Sequence, residues 1–197
     1  MTESPPAGRR ARTRERLLAA ALELFARKGF DDTTVAEIAA AAGVTPMTFF
    51  RHFGSKEAVV LDDPYDPLMV AGVAAQPFGL PPLVRAVRGV RTAWERVPVA
   101  AAAPVRERVR IAAASPGLRA AMVASTERSQ EAVAGRLVED GADPVAAAVA
   151  ASAVLSALMT ALVLWAQRED DDLGAAILGA LDVLDVPAGR AGTARRR

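Results

Sequence analysis

Two helix starts with a glycine between them, in residues 33–53, restrict what this chain can fold into more than any other feature. Thr34-Val35-Ala36-Glu37 is a capping box, in which the threonine hydroxyl serves the third amide and the glutamate returns to the threonine amide. Gly43 then supplies a left-handed turn conformation that other residues resist. Thr45-Pro46 opens the second helix, with proline at the first helical position, where its missing N–H costs nothing. Two short helices joined this tightly form a helix-turn-helix. Ile38, Val44, Phe49 and Phe53 are spaced to anchor the pair on a preceding helix, and Ala39 is small enough to let the backbones approach. The second helix of such a pair projects its N-terminal residues into the DNA major groove.

The rest of the chain is helical in pattern. Leu17, Leu18, Ala21, Leu24 and Phe25 fall on one face of a helix from about Arg10 to Lys28, which Gly29 stops. Gly54 closes the helix begun at Thr45, and Ser55 caps the next. Further helices fit about Asp66–Gln76, Pro82–Val97, Ala103–Ala114, Gly117–Glu139, Pro144–Gln167 and Leu173–Val183. Strand signals are nearly absent, so the expected fold is all-α, about nine helices in two layers. The expected organisation is a disordered leader at 1–8, a three-helix DNA-binding domain at 9–61, a ligand-binding and dimerisation domain at 62–186, and a disordered basic tail at 187–197.

Charge is distributed unevenly. The 197 residues carry a net +1, yet the stretch from Arg9 to Lys56 holds nine Lys/Arg against five acids, leaving −3 elsewhere. A basic first quarter on a mildly acidic body suits one module that meets phosphate and another that does not. Arg9 to Arg16 form either a solvated arm or one that reaches phosphate or the minor groove. There is no cysteine, which excludes disulfides and thiolate metal sites, and a single histidine cannot build a metal or catalytic cluster. No cofactor, no metal and no enzymatic activity are expected. The start has no apolar stretch, so the expected location is the cytoplasm.

From Arg14 to Val60 the sequence resembles the DNA-binding domain of the TetR family of bacterial repressors. The matching residues are Leu17-Leu18-x-Ala20-Ala21-x-x-Leu24-Phe25-x-x-x-Gly29-Phe30, Thr34-Val35-x-x-Ile38-Ala39-x-x-Ala42-Gly43-Val44 and Thr48-Phe49-x-Arg51-His52-Phe53-x-Ser55-Lys56-Glu57. The resemblance implies a homodimer on a palindromic operator in double-stranded DNA, with an inducer-binding C-terminal domain. Carried onto this chain, it implies that Thr34 and Thr45 cap their helices and touch phosphate, and that His52 and Lys56 face the DNA backbone. Pro46, Met47 and Thr48 occupy the positions that reach base edges, and Phe49, Phe50 and Arg51 complete the DNA-contacting set. Phe50 departs from the family, which usually has tyrosine there to bond a phosphate, so the chain either has one phosphate contact fewer or moves that load to Arg51. Pro46 and Met47 bring no donors, so base readout leans on thymine methyls and Thr48.

The second half resembles the acyl-CoA-responsive, mycofactocin-regulator-like branch of that family, through Phe49-Phe50-Arg51-His52-Phe53, Arg110-Ile111 and Ser115-Pro116-x-Leu118-Arg119. This implies an acyl-CoA or another apolar effector. Trp94, Met122, Met159 and Trp165 are candidates to line its pocket, and Arg106 and Arg110 to meet phosphates, although large apolar residues at helical spacing also describe plain core. Residues 144–167 carry no charge. Their bulky half (Val154, Leu155, Leu158, Met159, Leu162, Trp165) suits a core. Their small half, with Ala150, Ala153, Ala157, Thr160 and Ala161, suits a dimer seam.

Three rival classes exist. An enzyme needs a convergent polar pocket that these residues do not supply. A membrane-associated protein would use 144–167 as a span, but its many alanines read as a helix buried on two sides. A non-sensing, architectural DNA binder would not need so long a second domain, whereas an activating regulator fits the same sequence as a repressor.

Overall fold

The computed structural model describes residues 6–61, 65–97, 102–168 and 172–185. The tail expected at 187–197 and the first five residues of the expected leader lie outside them. Among the described residues there are ten α-helices and no strand. They are α1 (Pro6–Lys28), α2 (Val35–Ala41), α3 (Pro46–Phe53), α4 (Lys56–Leu61), α5 (Asp66–Ala74), α6 (Pro82–Trp94), α7 (Ala102–Ala114), α8 (Pro116–Glu139), α9 (Pro144–Ala166) and α10 (Leu173–Leu184). The number is close to the nine expected, and α4, the helix expected after Ser55, is set off from α3 by Gly54 at φ +70°. α1 starts earlier than expected, inside the leader at 1–8, since proline is tolerated in a first helical turn.

The chain divides into two compact units, residues 1–63 with 100–125, and 64–99 with 126–197. This differs from the expected single boundary near residue 61, because α7 and the start of α8 belong with the N-terminal helices. Leu17, Leu24, Phe25, Ile38, Phe49, Phe53 and Val59 share one buried cluster with Ile111, Ala112 and Leu118. Arg108 Nε donates to the Val60 carbonyl at 2.8 Å, and Ser125 Oγ to that of Leu61 at 3.3 Å. Those two bonds satisfy carbonyls that the end of α4 leaves without helical partners.

In the second unit α5 and α6 cross at a pair of glycines. A Cβ on Gly72 would lie 2.2 Å from the Gly89 carbonyl oxygen, and one on Gly89 only 2.5 Å from the Val73 backbone. Nearby, Arg85 of α6 is 2% exposed, and its guanidinium bonds Asp140 at 2.6 Å and the carbonyls of Val73 and Gln76. Arg136 holds the same carboxylate. Burial pushes the Asp140 carboxyl up, but the bonds from Arg85 and Arg136 outweigh it and hold it below its ordinary 3.8. α9 is long and apolar enough to cross a membrane, with a mean hydropathy of 2.2. Here it packs against α6 and α10, and of the bulky half Val154, Leu155, Leu158 and Trp165 are buried while Met159 and Leu162 are half-buried.

Candidate nucleic-acid interface

α2 and α3 form as their caps dictate. Thr34 Oγ1 accepts from the Glu37 amide at 3.2 Å, and Glu37 Oε2 accepts from the Thr34 amide at 2.9 Å. Thr45 Oγ1 accepts from the Thr48 amide at 3.3 Å, with Pro46 in the first turn. Gly43 has φ +64°, and the Val44 amide reaches back to the Ala39 carbonyl at 2.9 Å. Ile38, Ala39, Phe49 and Phe53 are buried and Val44 partly so, which holds the pair on α1.

The outer face of α3 is what this leaves. Thr45, Pro46, Met47, Phe50 and Arg51 are exposed, Met47 at 76% and Phe50 at 48%. Thr48 is half-buried, and its hydroxyl pairs with that of Thr45 at 3.1 Å. His52 is half-buried at the far end. Burial, and then the charges of Arg10, Arg51 and Arg14, hold its imidazole below 6.5, so it is neutral at pH 7. Arg10, Arg51 and Arg14 around the ring make this end of α3 locally positive.

Three residues of the expected DNA-contacting set stand differently. Phe49 is fully buried, its ring 5.7 Å from Phe53, so it anchors α3 and reaches no base. Lys56 turns inward: its ammonium donates to the carbonyls of Phe30 at 2.7 Å, Thr33 at 2.9 Å and Asp31 at 3.5 Å, and lies 4.2 Å from the Phe30 ring. A phosphate contact would require it to leave the turn after α1. The Thr34 hydroxyl and amide both serve the Glu37 carboxylate, whose pKa falls to about 2 through its bonds with Lys28 and Thr34. A carboxylate therefore occupies the α2 N-terminus, where the expected phosphate would sit.

Part of the basic arm is internal scaffolding. Arg14 Nη1 donates to the His52 carbonyl at 2.9 Å, with its guanidinium 4.2 Å from the Phe53 ring. Arg16 donates to the Ala42 carbonyl at the end of α2. Sequence spacing carries no signal for these struts, because they bridge residues far apart in the chain.

The expected effector residues are split between units. Arg106, Arg110 and Met122 lie in the first, where Met122 packs on the common core. Trp94, Met159 and Trp165 lie in the second. Trp165 forms part of an open cleft of about 390 Å³ with Ala161, Leu164, Arg168, Asp172, Ala175 and Ala176, which includes neither Trp94 nor Met159.

Of the expected seam, Thr160 is exposed and Ala153, Ala157 and Ala161 are half-buried. Ala150 is only 2% exposed and is excluded from any seam. Size segregation placed it on the small face, but packing within the unit covers it. The open stripe of α9 is Val145, Val149, Ser156, Thr160 and Leu164, three of them large and apolar.

Residues 17–62 match the model of the bacterial regulatory proteins, tetR family. Residues 81–188, more than half of the chain, match that of the MftR C-terminal domain. The HTH-type transcriptional regulator TcmR of Streptomyces glaucescens is 47% identical over 74 residues, 36% of this chain and 33% of TcmR. That match spans about a third of the relative's length. Among solved structures, the SmeT–triclosan complex (SmeT being the repressor of a Stenotrophomonas maltophilia efflux pump) is similar with a TM-score of 0.57 and 22% identity. The likeness covers 87% of this chain and 89% of SmeT. The fatty acid degradation regulator FadR from Bacillus halodurans is similar over 100% of both chains, with a TM-score of 0.55 and 17% identity. At such identities the structures speak for the fold alone.

Proposed function

Because this chain belongs to the tetR family of bacterial regulatory proteins, DNA-binding transcription regulators and not enzymes, we propose that it is a repressor released from a palindromic operator by a small apolar or acyl-type effector. The observation that carries this reading is the outer face of α3. Thr45, Pro46, Met47, Phe50 and Arg51 are displayed on a helix whose other side is locked into a core, in a positively charged setting. A rigid helix with an exposed N-terminal half and flanking cations is what major-groove docking needs. Thr45, Thr48, Arg51 and His52 are the polar members of the contact set, and Thr34 joins it only if Glu37 gives way.

Palindromic recognition requires two copies, and the open stripe of α9 with Val183 of α10, 75% exposed, is the surface assigned to the seam. The effector is assigned to the second unit, at the cleft beside Trp165. The effector class is proposed by analogy with SmeT, solved with triclosan, and with the fatty acid degradation regulator FadR, whose likeness to this chain is one of fold. The location that follows is the cytoplasm, where the operator is.

Selection of duplexes from a random-sequence library by the full-length protein tests the reading. Enrichment of an inverted repeat, and its release by triclosan or a medium-chain acyl-CoA, are expected. No enrichment overturns DNA recognition. An enriched repeat that neither compound releases overturns the apolar or acyl-type effector.

A further inference from the structure

Among the described residues, the cleft beside Trp165 draws its apolar walls from two neighbouring helices. Ala161, Leu164 and Trp165 come from the end of α9, and Ala175 and Ala176 from the start of α10. Trp165 is buried, whereas Leu164 is 52% exposed. Two adjacent helices give a ligand a floor and sides but leave it open to water above. Sites for small apolar ligands enclose about 70–90% of the ligand's surface.

Both walls continue into surfaces that one chain leaves uncovered. Leu164 ends the open stripe of α9, which runs from Val145 through Val149 and Thr160 over about 28 Å at 1.5 Å per residue. On α10, Val183 is exposed and lies close to two turns beyond Ala176, on the same helical face. Stripe and cleft are therefore parts of one surface. Large apolar side chains displayed over that length mark an interaction face, and dimerisation is typical of the family.

We infer that the effector site is shared: a second copy of this chain, seated on the open stripe, closes the cleft, and one protomer alone holds an incomplete site. A contact along the stripe covers Leu164, and with it the mouth beside Trp165. The cover is itself apolar, since a two-fold contact sets the stripe of one copy against that of the other. A small apolar molecule is then enclosed between two copies instead of within one. This rests on the effector and seam readings above and supplies the wall that the cleft lacks.

The test uses the full-length protein and triclosan, or a medium-chain acyl-CoA where triclosan does not bind, with equilibrium dialysis beside sedimentation. Wild type is expected to bind the compound as a dimer. Val149→Glu, which lies outside the cleft, should sediment as a monomer and bind at least about tenfold more weakly, the value of one lost valine-sized wall. The same loss should appear when wild type is diluted until it dissociates. By linkage, saturating compound should in turn tighten the wild-type dimer. Ala176→Phe, which fills the cleft, should abolish binding. Equal affinity in monomer and dimer overturns the shared site while the effector reading stands. A Val149→Glu protein that remains a dimer overturns the seam and the shared site with it. Undiminished binding in Ala176→Phe places the compound elsewhere and overturns the shared site. Failure of wild type to bind either compound overturns the apolar effector and the shared site together.

Discussion

Arg14 of α1 donates through Nη1 to the main-chain carbonyl of His52 at 2.9 Å, across 38 residues of sequence. This bond, with the Arg14 stack on Phe53, fixes the C-terminal end of α3 against the first helix. The recognition surface is therefore aimed by a residue that the basic arm seemed to offer to solvent or phosphate. Arg14→Ala should lower the unfolding free energy by about 2 kcal/mol, the scale of a hydrogen bond to a charged group. Arg14→Lys should recover only part of it, since lysine lacks the planar fork. Urea denaturation of the three proteins decides this, and an unchanged midpoint in Arg14→Ala would show that the strut carries no weight.

Lys56 and Arg51 should part company when salt is varied. The Lys56 ammonium is spent on three carbonyls of the turn after α1, whereas Arg51 is exposed on α3. Arg51→Ala is expected to reduce the slope of log affinity against log salt by about 1, one phosphate contact. Lys56→Ala should leave that slope unchanged and lower the melting temperature instead. A slope change of similar size in Lys56→Ala would mean that the ammonium leaves its carbonyls when DNA arrives.

The depressed His52 gives a pH dependence with a definite sign. Its folded-state pKa lies below 6.5, so stability is full above that value and declines as pH falls from 6.5 through the folded pKa. A phosphate beside the ring would raise the pKa in the complex. Operator affinity should therefore rise as pH falls from above 7 towards 6, and level off below the free protein's pKa. Titrated binding isotherms of wild type and His52→Gln check this. A profile that is the same in both removes His52 from the backbone contact.

Asp140 gives stability the same dependence on pH, in a more acidic window. Its folded pKa is depressed below 3.8 by Arg85 and Arg136, so its contribution is present at higher pH and lost as pH falls through that depressed value. Asp140→Asn leaves the Arg85 charge buried without its counter-ion, a state that costs more than never having built the pair. Thermal melts at pH 7 should place Asp140→Asn below Arg136→Ala, whose side chain is 29% exposed. The acid limb of the wild-type stability curve should also flatten in Asp140→Asn.

The proposed seam on α9 is tested where the stripe is open. Val149 is 64% exposed, so Val149→Glu leaves the fold of one chain intact and places a carboxylate in any two-fold contact there. The variant should sediment as a monomer, keep its helical circular dichroism, and lose operator affinity. Ala157→Glu, at the half-buried flank, should act in the same direction. A dimer with normal affinity in both variants would place the seam elsewhere.

Much of the first unit was legible along the chain because its signals are local. The capping box at Thr34, the Thr45-Pro46 start and the positive-φ glycines 43 and 54 each act within four residues, and all appear where their chemistry puts them. The bulky face of α9 was legible for the same reason, since helical periodicity is a property of the helix itself. Tertiary structure alone decided what lies against what. It drew Ile111, Ala112 and Leu118 into the N-terminal core, buried Phe49 and Ala150, and spent Arg14, Arg16 and Lys56 on distant carbonyls. A side chain's charge or size is written in the sequence. Whether that charge meets a phosphate or a carbonyl depends on backbone groups that only folding brings near, because each helix end leaves carbonyls that any cation within reach will satisfy.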